Sequence, residues 1–125
     1  MARGLEIFLA VLALGATSVP GAAAPLLRDF AVCAGRLSAF MEDQWMFDGP
    51  ASERTQAELH AVVAVIEASM PEGASTQVMA WRIDAKVAQR ALLAQVRFAA
   101  DRRLSQTAAA RAEALAAHCQ AMILS

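Results

Sequence analysis

The chain has 125 residues, 11 basic and 12 acidic, for a net charge of −1. That length allows one domain at most, with a modest core, and the balanced charge gives no electrostatic reason to bind nucleic acid. Tyrosine is absent, threonine and isoleucine are few and alanine is abundant, a composition that disfavours strands and favours helix.

The first 24 residues, MARGLEIFLAVLALGATSVPGAAA, carry one positive charge at Arg3, partly offset by Glu6, and then an apolar run over Ile7–Ala16. At about ten residues the run is too short to cross a bilayer of ~30 Å as a helix. A small-residue segment follows. The pattern predicts a cleaved secretory signal over residues 1–23, with the cut after Ala23 favoured over one that leaves Pro25 first. The domain is then 24–125, ten basic and eleven acidic groups, still at −1. No later stretch is apolar for long enough to span a membrane, so no stable insertion is expected after cleavage.

Four helical segments follow. The first runs over about Leu26–Met46, with Leu26, Phe30, Cys33, Leu37, Phe40 and Met41 on one face. Asp48-Gly49-Pro50 ends it. The second covers about Ala51–Ser69; Leu59, Val62, Val63, Ile66 and Met70 share a face, Thr55 stands one turn back, Ser52 is a candidate N-cap and Pro71 stops the helix. The third starts near Ser75 or Thr76 and reaches about Ala100. It has a main stripe of Val78, Trp81, Ala85, Ala88, Leu92, Val96 and Ala99 and a thinner one of Met79, Ile83, Val87 and Phe98. So wide an apolar arc suits either a central place in the bundle or a second face for a partner. The fourth runs from about Ser105, its candidate cap, to Leu124, with Leu104, Ala108, Ala112, Leu115, Cys119 and Met122 inward.

The break at Asp101–Ser105 is soft, and the two cysteines decide it. An exported chain with an even cysteine count usually has them oxidised. In an up-down-up-down bundle, Cys33 lies roughly 10 Å from the start of the first helix and Cys119 roughly 7–8 Å from the end of the fourth. The two then sit level on apolar faces, within reach of a bridge. One long rod from Thr76 to Leu124 carries Cys119 away from this end. The expectation is an all-α four-helix bundle closed by Cys33–Cys119.

Chemical motifs are scarce. HCQAM, residues 118–122, holds imidazole, thiol and thioether, the soft ligands of copper and haem, but a disulfide consumes Cys119. His118 with Met41 or Met122 is the residual metal or haem reading; without CxxCH the usual covalent haem attachment is excluded. His60 has no second ligand one turn away. Glu42-Asp43 near Asp48 reads as a solvated helix end, Arg82 and Lys86 as outward charges, and no phosphate loop or nucleophile motif is present. No cofactor or metal is therefore expected. Trp45, Met46 and Phe47, next to Phe40 and Met41, concentrate large side chains of the type used at interfaces. The alanine and arginine bias suits a GC-rich bacterial genome. The sequence thus predicts a small exported protein, periplasmic or secreted, with a non-catalytic structural or binding role in the bacterial cell envelope and an envelope protein as its partner. The alternative is a periplasmic metal- or haem-binding bundle.

Overall fold

The computed structural model describes residues 23–125; the expected signal, residues 1–23, lies outside them but for its last position. The chain forms α1 (Ala23–Phe47), α2 (Gly49–Ser69), α3 (Ser75–Phe98) and α4 (Arg102–Leu124). This is the expected all-α bundle, with Cys33 and Cys119 bridged and their Cα atoms 5.3 Å apart.

Two helix caps differ from expectation. A single residue, Asp48, separates α1 from α2. Its carboxylate accepts the Ala51 N–H at 3.1 Å, with Pro50 in the first turn. Ser52 lies inside the helix and its hydroxyl donates to the Gly49 carbonyl at 2.6 Å. Asp48 is the better cap because it precedes a proline whose fixed φ suits the first turn and whose missing N–H costs nothing there. Likewise Asp101 caps α4, accepting the Arg103 N–H at 2.8 Å. Ser105 instead donates to the Val96 carbonyl at 2.9 Å, tying α4 back to α3.

The helices do not follow one another round the bundle. α1 packs on all three others, α4 also packs on α3 and α2, and α2 and α3 make no contact with each other. The spatial order is α1, α2, α4, α3, and the link Met70–Ala74 passes from one side to the other. It turns at Gly73, whose φ is +79°, a conformation easy only for glycine. The central helix is therefore α1, not α3. Leu27, Ala31, Cys33, Ala34 and Leu37 of α1 meet Val62 and Ile66 of α2, Val78 of α3 and Cys119 of α4 in the main core. A smaller cluster of Ala39, Leu93 and Ala112 fills the other end.

Small residues set how closely the helices approach. Ala108, Ala112 and Ala116 recur every four residues along α4 and are all buried. On α1, a Cβ added to Gly35 stands 2.2 Å from the Arg82 carbonyl oxygen and 2.9 Å from the Lys86 nitrogen, so the α1 and α3 backbones touch there. Glu42 pairs with Lys86 and Asp43 with Arg97 further along. The residue numbers rise together, so α1 and α3 run parallel. No described helix is long and apolar enough to cross a membrane.

Candidate interaction surface

α3 packs against α1 and α4, and the rest of its surface faces solvent. Its buried line is Val78, Gln89 and Leu93, with Ala85, Leu92 and Val96 half-buried. Ala88, expected inward, is exposed, and so is Leu104 on α4. The thinner stripe is open to solvent: Met79 is 49%, Ile83 53%, Val87 63% and Phe98 85% exposed. At 100° per residue these four, with Arg90 and Ala94, fall within an arc of about 100°. From Met79 to Phe98 the stripe is roughly 28 Å long.

The stripe ends in a recess of ≈ 230 Å³ between α1 and α3, lined by Met46, Phe47, Leu93, Ala94 and Phe98. Met46 is 72% exposed. An ion pair anchors the recess. Arg97 Nη2 and Nε donate to the two carboxylate oxygens of Asp43 at 2.7 and 3.2 Å, and the guanidinium lies 3.7 Å from the centre of the Phe47 ring. This fork is the geometry in which arginine binds a carboxylate well, and the hydrogen bond holds the Arg97 pKa above its ordinary value. Phe47 is therefore held in place by Arg97, although it stands at the last position of its helix. Glu42 and Asp43, read as a solvated helix end, are half-buried and link α1 to α3; their partners were hidden because they lie 44 and 54 residues away.

The other candidate residues are dispersed. Trp45 is 59% exposed but does not line the recess, so the structure groups Met46 and Phe47 with Phe98 and leaves Trp45 apart. His118 and His60 are exposed. Met122 lies with its sulfur 3.6 Å from the Cys33 sulfur; the bridged cysteine has no proton to give, so this is packing. Met41 is buried, eight residues or ~12 Å along α1 from Cys33, away from the level of His118. Among the described residues no three His, Cys, Asp or Glu side chains gather as metal ligands would. Phe98 entered the sequence reading only as part of the thin stripe. Gln89 was missed altogether, since a glutamine gives no sign of a buried position.

Compared with family models, with curated proteins and with solved structures, the chain matches none.

Proposed function

We propose that this chain is an exported helical module of the bacterial cell envelope that holds a protein partner on the outer face of α3 and catalyses no reaction. The observation that carries this reading is the exposed apolar row Met79–Ile83–Val87, which runs past Arg90 and Ala94 to Phe98 and is extended by Met46 and Phe47. Single exposed apolar residues are common, but contiguous patches mark interaction sites. Methionine, phenylalanine and arginine are the side chains that interfaces favour. A stripe of this length fits an amphipathic helix of the partner, whose apolar anchors would repeat at three and four residues. Export is supported by the signal-like first 23 residues and by the disulfide, which persists in oxidising compartments.

The test is a photo-crosslinking amino acid placed at Val87 or Phe98 in the full chain, expressed in its host, with the same group at exposed Glu67 on α2 as control. One discrete heteromeric product from positions 87 and 98, absent at 67 and located in the periplasmic fraction, supports the reading. A product of twice the chain's own mass would replace the partner by a second copy. Equal labelling from all three positions, or a cytoplasmic protein that keeps its first 23 residues, refutes it.

A further inference from the structure

The other side of α3 borders a cleft of ≈ 500 Å³ that the docking face does not use. Each of three helices gives it one stripe at helical spacing: Arg28, Val32 and Arg36 from α1, Trp81 to Gln95 from α3, and Arg111 and Leu115 from α4. Its size is in the range of small-molecule sites, and its lining mixes apolar side chains, Trp81, Leu92 and Leu115 among them, with charged and polar ones.

The polar groups are not paired with one another. Among the described residues no carboxylate lies within 4 Å of Arg28, Arg36 or Arg111. Arg28 rests over the Trp81 ring, 5.9 Å from its centre. Arg36 is half-buried. Burial and then the neighbouring Arg111 cation lower its pKa, and Asp29 partly offsets this. Two guanidiniums that line one cleft, neither with a carboxylate within 4 Å, gain from an anion between them. Gln89, 1% exposed, also lines the cleft. Its Nε2 donates to the Ala112 carbonyl at 3.2 Å, while its Oε1 is buried without a partner.

We propose that this cleft binds a small organic monocarboxylate, with the carboxylate between Arg36 and Arg111 and an apolar body against Trp81 and Leu115. Charge selects a monoanion. The three arginines face Asp84 in the lining and Asp29 beside Arg36, which leaves an excess of one positive charge and suits a carboxylate better than a phosphate dianion.

The disulfide-intact protein is titrated with 4-hydroxyphenylacetate while the side-chain N–H signals of Trp81, Gln89 and Trp45 are followed by NMR. Saturable shifts at Trp81 and Gln89 with a Kd of about 1 mM or tighter, and none at Trp45, are expected. R36Q and R111Q should each weaken binding about tenfold or more, and the neutral 4-hydroxyphenylacetamide should not bind. Because Arg36 is half-buried and Arg111 exposed, R111Q remains a test with the fold intact if R36Q unfolds. Absence of saturation, equal binding of the amide, or undiminished binding in R111Q overturns the proposal. So does inorganic phosphate moving these signals where the carboxylate does not.

Discussion

Gly35→Ala tests the claim that α1 and α3 meet backbone to backbone. In an isolated helix the change favours folding by about 1 kcal/mol, because alanine is the better helix former. Here the new methyl would lie 2.2 Å from a carbonyl oxygen, a backbone atom that cannot rotate away. Relief requires α1 and α3 to part by roughly 1 Å, to ordinary van der Waals separation, along a seam that includes part of the main core. Overpacking of this kind costs about 1–3 kcal/mol and occasionally more. The clash outweighs the propensity gain, and a net loss of about 1–2 kcal/mol is expected. For a domain near this size that lowers Tm by roughly 10 °C, measured by circular dichroism with the disulfide intact. Two other glycines serve as controls. A Cβ at Gly49 meets nothing, so Gly49→Ala should change stability by less than about 0.5 kcal/mol. Gly73→Ala should cost about 1 kcal/mol through its positive φ. A Gly35→Ala protein as stable as wild type, or more so, would show that the two backbones are not in contact.

Reducing Cys33–Cys119, which closes a loop of 86 positions, should remove about 4–5 kcal/mol on the chain-entropy estimate; urea midpoints with and without reductant measure it, and a shift below about 1 kcal/mol would contradict it. Asp48→Ala removes the cap of α2 and should cost about 1 kcal/mol, whereas Ser52→Ala, at a residue that caps nothing, should cost less in the same urea assay. Gln89→Leu removes a buried acceptor that has no partner together with the bond from its Nε2 to the Ala112 carbonyl; the two effects offset, and stability read as Tm should change by less than about 1 kcal/mol.

Helix number, the Asp48-Gly49-Pro50 and Pro71 breaks and the disulfide were legible because each rests on a local signal or on a single possible pairing. Spatial order was not. The sequence of α3 is apolar over so wide an arc that a central and a peripheral position look alike. What makes α1 central is a run of small residues, Ala31, Ala34, Gly35 and Ala39, together with Leu27 and Leu37. Alanine and glycine carry little hydrophobic signal, and alanine is as suitable on a helix surface as in a close contact. The caps at Asp48 and Asp101 were missed for a related reason. Serine and aspartate compete for the same role, and only the position of the first helical turn decides between them. Long-range polar partners, Asp43 with Arg97 and Gln89 with the Ala112 carbonyl, have no local signature at all.

The two proposed sites have one structural cause. α2 lies on the far side of α1 and α4, so α3 has only α1 and α4 to pack against. Its apolar arc is wider than those two contacts can cover. One excess margin becomes the stripe Met79–Phe98, and the other becomes the wall of the arginine cleft. Exposed apolar surface of this extent is an aggregation liability in a small domain. Replacing Met79, Ile83, Val87 and Phe98 together by polar residues should therefore leave the fold intact, since none of the four is buried, and should raise solubility. If the four-residue variant instead unfolds, the stripe belongs to the core and the docking face does not exist. If it folds and the crosslinked partner is lost, the face is retained for binding at the expense of solubility.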